Sequence, residues 1–428
     1  MNIITVCYET INKMLLTEIK ADNYIFINCP RKSIFKKNLP EMKGKNVLTY
    51  NNKTVKTGAF FTSIDWNKIK PLNRAIIEKM SFCEVETMKM FERLKIEPKY
   101  YENRKRQYMA HLRYWNHILD TYNIEVFFRY SPPHMGYDNV IYHLCKLKGI
   151  KIIMLYQFYS KYAYFTYDNV RDPFPSFDID YAIEKTKNTE LKFLKSLYDR
   201  HTKKELPEIK PVVIPNLKYI VRGQRRLKDK KKLAINFYNR KSIMPDYNIK
   251  YIYFPLHYQY EGTTCPLGSV FVDQILAIEI LSKLGIRIYV KEHPRISHNR
   301  TVEYYQKLLL LKNVSLINST VDNYSLIDNS FCVSTITGTA GWEGILRGKA
   351  CLMFGYHFYY KFPGVFQIDS VETAKKAFDK IKKYKPDYNL IKKAFRTFEN
   401  YLFIDKIENV VKELKEKLIE EETEEKKA

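Results

Sequence analysis

Four short polar segments carry the residues best suited to chemistry. The first, Leu256–Thr264, holds His257 and Glu261. The second is Lys291, Glu292, His293, Pro294 and Arg295. The third runs from Thr335 to Glu343 through Thr337, Gly338 and Thr339, and the fourth, Gly355–Tyr359, carries His357. Imidazoles, cations and hydroxyl residues in this mixture suit the binding of a phosphate and of an oxygen that departs with it. A helix opening at Thr339 would present unpaired N–H groups and the positive end of its dipole. Gly338 lacks a Cβ and lets an anion approach the backbone, and the threonines add hydroxyl donors, so this is a phosphate-type arrangement. Glu343 lies one helical turn beyond Thr339 on the same face, where a carboxylate can accept hydrogen bonds from a ribose diol. The plainer reading of these residues is an ordinary capped helix with an exposed Glu343.

The other candidates are read the same way. Pro294 restricts the backbone at His293 to extended geometry, which aims the imidazole out of a strand end between Lys291 and Arg295; a structural histidine is the alternative. Glu261 suits a general base or, less readily, a nucleophile, with His257 on the same loop; a surface carboxylate is the alternative. In the first half of the chain Pro132, Pro133, His134 and Asp138 occupy a turn. There Asp138 is either a base facing the same ligand or a first-turn helix residue stabilised by the dipole.

These segments take their meaning from the elements that must position them. Strand-like runs at Tyr251–Pro255, Ile286–Val290, Val314–Ile317, Phe331–Ser334 and Ala350–Phe354 alternate with helical patterns over 270–284, 301–311, 322–327 and 339–347. That alternation predicts an open parallel sheet with helices on both faces, in which ligands sit beyond the carboxyl ends of the strands. All four polar segments follow strand ends. The first half opens with Ile3–Val6 and Tyr24–Ile27 as strands, is mostly helical over 73–120, and then shows a βαβ unit. This unit comprises Ile124–Phe128, a helix over 137–148 stopped by Gly149, and Ile150–Leu155. Residues 201–233, with three prolines and the basic run Arg222–Lys232, read as a connector or exposed loop, or as a surface for phosphate or lipid headgroups. Helices are expected over 372–382 and 387–420, followed by a charged tail.

Composition excludes several classes. The 428 residues, 45% hydrophobic and 28% charged, are ordinary globular usage and rule out a wholly disordered, collagen-like or disulfide-stapled chain. With 72 Lys and Arg against 47 Asp and Glu the net charge is +25, which points to an anionic partner unless it reflects a Lys-rich proteome. Seven cysteines stand singly, which fits a reducing compartment and argues against a zinc site. The absence of a Walker A or G-x-G-x-x-G sequence disfavours a P-loop or dinucleotide enzyme. No metal and no cofactor is implied. The N-terminus reads as a strand rather than a signal peptide, and the chain is expected to be cytoplasmic, soluble or peripheral at the inner membrane face.

Tyr253–Thr264, Asp273–Gln274, Lys291–Pro294 and Ser334–Glu343 together resemble the capsule polysaccharide biosynthesis proteins, which include the Kdo transferases of capsule export lipids. The His-Pro and Thr-Gly…Glu elements are also similar to those of bacterial polysialyltransferases. The resemblance spans about residues 250–356, and more thinly 108–156 through Pro133-His134, Asp138 and Gly149–Lys151. It implies a GT-B-like α/β architecture, two Rossmann-like domains facing a cleft. The domains would be 1–205 on the acceptor side, with His134, a basic connector over 206–248, a nucleotide-sugar domain over 249–385, and C-terminal helices over 386–428. It implies a nucleotide-sugar-dependent glycosyltransferase of capsular or lipopolysaccharide assembly, using a CMP-linked acidic sugar such as Kdo and a glycan or lipid-linked acceptor. The carry-over gives His293 and the Thr337–Thr339 backbone to the donor phosphate and Glu343 to the ribose, while Lys291 and Arg295 join the donor site on their own reading as flanking cations. Tyr260 stands where related sequences have Pro, and the catalytic carboxylate stays open between Glu261 and Asp138. Two rival readings are a GT-B-like sugar-nucleotide epimerase and a basic RNA-binding protein, the latter without any RNP, KH or zinc signature.

Overall fold

The computed structural model describes residues 1–28, 44–93, 100–158, 162–174, 177, 222–258, 262, 264–293 and 300–425. In chain order the elements are β1 (Asn2–Cys7), α1 (Glu9–Glu18), β2 (Asn23–Asn28), β3 (Asn46–Asn51), α2 (Asn52–Thr57), α3 (Arg74–Lys79), α4 (Ser81–Arg93), α5 (Tyr101–Thr121), β4 (Val126–Arg129), α6 (Tyr137–Lys148), β5 (Lys151–Phe158) and β6 (Tyr162–Tyr167). They continue with α7 (Arg222–Lys241), β7 (Tyr251–Pro255), α8 (Gln274–Ser282), β8 (Arg287–Lys291), α9 (Val302–Leu309), β9 (Val314–Ile317), α10 (Asn323–Asp328), β10 (Cys332–Thr335), α11 (Thr339–Leu346), β11 (Cys351–Met353) and β12 (Val365–Gln367). The last are α12 (Val371–Ile381), α13 (Tyr388–Glu399), β13 (Phe403–Ile404) and α14 (Ile407–Glu425).

Two compact units result: Met1–Pro175 with Tyr401–Ala428, and Ser176–Asn400. Among the described residues the first holds a sheet of order β3-β2-β1-β4-β5-β6-β13, parallel from β3 to β5 and antiparallel at β6 and β13. The second holds an all-parallel sheet of order β9-β8-β7-β10-β11-β12. Both follow the doubly wound plan in which the fourth strand is laid on the opposite side of the first from the second. The α/β, two-Rossmann expectation therefore holds for each unit. The parallel strands are buried on both faces, as helices above and below require: Ile3, Ile4 and Val6 in β1, and Ile252, Tyr253 and Phe254 in β7.

The sequence pattern located most second-unit elements to within a residue or two. Tyr251–Pro255 and Val314–Ile317 coincide with β7 and β9, and α6 coincides with the helix expected over 137–148. Gly149 ends that helix in the left-handed conformation, φ 68°. The helix expected over 270–284 is shorter. Ser269–Val272 forms a 3-10 turn, and Asp273 then caps α8 by accepting from the Ile275 N–H. The stretch read as a connector carries α7, whose Ala234 and Tyr238 are buried in the second unit's core; the side chains of residues 222–231 lie outside those described. The helix expected over 387–420 is broken at Asn400. Phe403 and Ile404, residues that favour strands, pair with β6, and Asp405 accepts from Tyr130 and Gln157 at 2.6 and 2.7 Å. Val410, Val411 and Leu414 of α14 then fill the first unit's core beside α1. Cys7, Cys83, Cys145, Cys265, Cys332 and Cys351 are buried; Cys29 lies outside the described residues.

The turn between β4 and α6 depends on Gly136, which sits at φ 88° with the Phe91 ring 2.4 Å from where a Cβ would be. Gly136→Ala is expected to destabilise the chain by about 2 kcal/mol or more through backbone strain and overpacking, as read from a denaturant midpoint. An unchanged midpoint would show that the turn can yield.

Candidate functional site

The reversal of strand order falls between β7 and β10, and the helices that follow them leave to opposite sides. At this point a cavity of about 320 Å³ opens beyond the carboxyl ends of the strands. Its wall includes His257 after β7, Glu292 and His293 after β8, Asn323 at the start of α10, Thr337–Ala340 and Glu343 on the turn and helix after β10, and His357 after β11. Segments up to 100 residues apart in the chain are thus brought together, as the strand-end argument requires.

The centre of the wall is a set of neutral hydrogen-bonding groups in fixed orientation. The Nε2 of His257 lies 2.8 Å from the Thr335 hydroxyl and accepts from the Thr337 N–H at 3.4 Å. Thr335 Oγ1 accepts in turn from the Gly338 N–H at 2.9 Å. Burial, with Arg300, His293 and His357 nearby, holds the His257 imidazolium down to about pKa 3. The ring is therefore neutral at pH 7, and with Nε2 accepting, its proton belongs on Nδ1. His257 is 8% exposed. Gly338 is required by close approach: an added Cβ would lie 2.8 Å from Thr335 Oγ1 and 3.1 Å from the His257 ring. It also opens α11 without a capping side chain, which leaves first-turn N–H groups available at a dipole end. Glu343 is half-buried; burial raises its pKa while a hydrogen bond with Thr339 and the Arg347 charge oppose the rise.

Behind this wall lies a pair that sequence reasoning missed. Glu292 and Arg300 form an ion pair buried to 0% and 1% side-chain exposure. The second guanidinium nitrogen donates to the His257 carbonyl at 2.6 Å, and Glu292 accepts from the His293 N–H at 2.7 Å and from the Tyr305 hydroxyl at 2.5 Å. Gln274 completes the frame, accepting from the His257 N–H at 2.8 Å. One buried cation therefore ties the loops after β7 and β8 together. Glu292 stands inside the Lys291–Arg295 segment and was legible there as a carboxylate beside His293; Arg300 gave no signal.

Other expected site residues are placed differently. Lys291 is not part of the described cavity wall, its ammonium donating instead to the Val321 carbonyl at 2.5 Å and to the wall residue Asn323 at 2.7 Å. Its pKa is lowered by burial. Lys291 thus braces β8 against α10. Asp138, in the first unit, is fully buried in an ion pair with Arg129 at 2.6 Å and accepts from the Met135 and His134 N–H groups. Although burial acts to raise its pKa, the Arg129 charge, His134 and those N–H groups hold it below the ordinary carboxylate value. A carboxylate so committed shapes the β4–α6 turn and is a poor proton acceptor, which is the first-turn alternative rather than the base. His134, half-buried on that turn, has Nδ1 2.6 Å from the Pro132 carbonyl. Glu261 and Arg295 lie outside the described residues. Among the described residues no three His, Cys, Asp or Glu side chains are grouped to hold a metal ion. No described helix is long and apolar enough to cross a membrane.

The model of the family described as capsule polysaccharide biosynthesis protein matches residues 175–404, more than half of the chain and every wall of the cavity. The chain belongs to the capsule polysaccharide biosynthesis family. Membership bears out the resemblance seen in the sequence. No curated protein matches the sequence. Solved structures similar to it include the KpsC beta Kdo 2,7 transferase of Thermosulfurimonas dismutans, 11% identical, covering 78% of this chain and 95% of that one with a TM-score of 0.33. Others are the UDP-GlcNAc 2-epimerase of Methanocaldococcus jannaschii, 14% identical, 90% and 94% covered, TM-score 0.28, and a glycosyltransferase of Rickettsia africae, 11% identical, 98% of each covered, TM-score 0.28. Likeness at this level carries no information on substrate.

Two outcomes follow from the geometry. Arg300→Met leaves Glu292 buried and unpaired and is expected to lower unfolding free energy by about 3–5 kcal/mol, with Glu292→Gln in the same chain recovering part of the loss; full stability of the single variant would reject the clamp. The second concerns pH. Folded His257 stays neutral down to about 3, whereas an unfolded imidazole protonates near 6.5. The unfolded state therefore binds the extra proton, and His257 contributes stability above about pH 6.5 that is lost as pH falls toward 4. Denaturation of wild type and His257→Asn between pH 7 and 4 should show a shallower decline in the variant. Parallel declines would mean that His257 is not buried neutral.

Proposed function

We propose that the second-unit cavity binds the nucleotide phosphate of an activated sugar and that the chain transfers that sugar to a glycan or lipid-linked acceptor of the capsule. The observation that carries this reading is the grouping, at the switch point, of the uncapped start of α11 with the neutral imidazole of His257 in the wall of one cavity. The N–H groups of Thr339 and Ala340 at the start of α11, the hydroxyls beside them and the His257 Nδ1–H form donors fixed in advance of the charge they meet, while the Thr337 and Gly338 N–H groups hold His257 and Thr335 in place. Donors of that kind lower a transition-state barrier because nothing has to reorganise as the phosphate leaves. His293 adds a further donor from the neighbouring loop, its main chain held by Glu292. Glu343 receives the ribose hydroxyls. The acceptor hydroxyl needs a base, and Glu261 keeps that role, since Asp138 is engaged with Arg129. The donor is read as CMP-linked, with an acidic sugar of the Kdo class. The surplus of basic residues, net +25, favours an acceptor presented at an anionic membrane surface.

Two measurements test this. Thermal denaturation with CMP, UDP and GDP should show a raised midpoint with CMP, since ligand at a hundredfold its Kd stabilises by about 2.7 kcal/mol. No shift with any of the three would remove the nucleotide site. His293→Ala is expected to reduce transfer about 10²-fold with a folded chain, and unchanged turnover would take His293 out of the mechanism.

A further inference from the structure

Lys291 is outside the cavity wall, yet it fixes the orientation of a residue within it. Asn323, the first residue of α10, is exposed and lines the cavity. Its Oδ1 accepts from the Lys291 ammonium at 2.7 Å and from the Tyr253 hydroxyl at 3.0 Å. An ammonium carries donors only, so the atom that faces it is the amide oxygen. Both donors are buried, Lys291 at 5% and Tyr253 at 0% exposure, and Lys291 is held in turn by the Val321 carbonyl. The oxygen is thereby turned toward the protein with both lone pairs occupied. What Asn323 can offer a ligand is its Nδ2, which has no partner among the described residues. An amide anchored in this way presents two N–H donors set in place before anything binds.

The packing of α10 on α11 says which part of a nucleotide meets those donors. Arg347, at the end of α11, pairs with Asp328 and lies over the Tyr324 ring at 4.9 Å. Tyr324 and Ala340 pack against the same apolar cluster. Glu343 stands one turn before Arg347 on that face of α11. A nucleotide with its phosphate at the start of α11 and its ribose at Glu343 therefore brings its base to the flank where α10 begins. We propose that Asn323 selects the base of the donor, its Nδ2 donating to the edge of cytosine at which the acceptors N3 and O2 lie side by side. Uracil carries N3–H at that edge and sets a donor against a donor, which turns the same contact into discrimination. This rests on the cavity being the donor site.

The test is calorimetric titration of the full chain with CMP and with UMP, the latter also by displacement of CMP, for wild type, Asn323→Asp and Asn323→Ala. The two nucleotides share ribose and phosphate, so only a contact to the base separates them. Wild type should bind CMP about tenfold or more tighter than UMP. Asn323→Asp keeps an oxygen for Lys291 and Tyr253 but exchanges the donors for acceptors; it should weaken CMP about tenfold and narrow or reverse the preference. Asn323→Ala adds no charge next to the phosphate. It should weaken CMP by a similar factor and leave UMP unchanged, which separates loss of the amide from repulsion by a new carboxylate. Equal weakening of both nucleotides in Asn323→Ala would make Asn323 a ribose or phosphate contact and overturn the assignment, as would a wild type without preference. Wild type that binds neither nucleotide defeats the donor-site reading itself, and the assignment with it. Wild type that prefers CMP while both variants keep that preference defeats the assignment alone.

Discussion

The second unit depends on one topological constraint. Once β10 is laid against β7 on the side opposite β8, the helices after these two strands must leave in opposite directions, and a gap opens between them. The described cavity wall is arranged around that gap. The gap sets which loops meet, and it puts the start of α11 in the wall of the cavity. Polar residues elsewhere on the rim gain their meaning only by distance from it. The first unit repeats the same strand order, with the turn carrying His134 after β4 beside β1, but there the polar side chains are spent on holding the turn.

The described cavity wall handles charge without free cations. Lys291 is turned into the protein, and the charge of Arg300 is cancelled by Glu292. What remains is a network in which Thr335 relates the Gly338 N–H to His257, and Gln274 and Arg300 fix the main chain of the same histidine. Neutral groups of this kind hold their orientation against solvent and require no counter-ion when the cavity is empty. Their cost is rigidity. Gly338 has no room for a methyl group, because the imidazole is already packed against it.

How much of this the sequence disclosed depends on range. The strands of the second unit were legible because parallel, doubly covered strands read as short apolar runs, and the cavity segments were legible because polar residues interrupt those runs at their carboxyl ends. His257, His293, Thr337–Thr339 and Glu343 were found that way and do share one cavity. Side-chain direction was not legible. Lys291 and His293 are two residues apart, and only the surrounding fold decides that one faces the interior and the other the cavity. Asp138 stayed open between a base and a first-turn helix residue, because its partner Arg129, at the end of a strand with apolar neighbours, gave no sign of pairing with it. Arg300 was invisible for the opposite reason: a single arginine in a polar stretch looks solvated unless its buried partner is known. The break at Asn400 escaped because Phe403 and Ile404 answer to a strand more than two hundred residues earlier.

That late pairing sets the order of events during synthesis. The first unit is made of two stretches of chain, with the whole second unit between them. Until residues 401–418 emerge from the ribosome, β6 presents an open edge and the α1 side of the core lacks Val410, Val411, Leu414 and Leu418. The amino-terminal unit is therefore the last to close. For some two hundred residues of elongation the nascent chain carries an unpaired strand edge and bare apolar surface, the features that invite wrong association. Shielding by a chaperone matters most in that interval, and a chain that stops short of α14 keeps both liabilities for good.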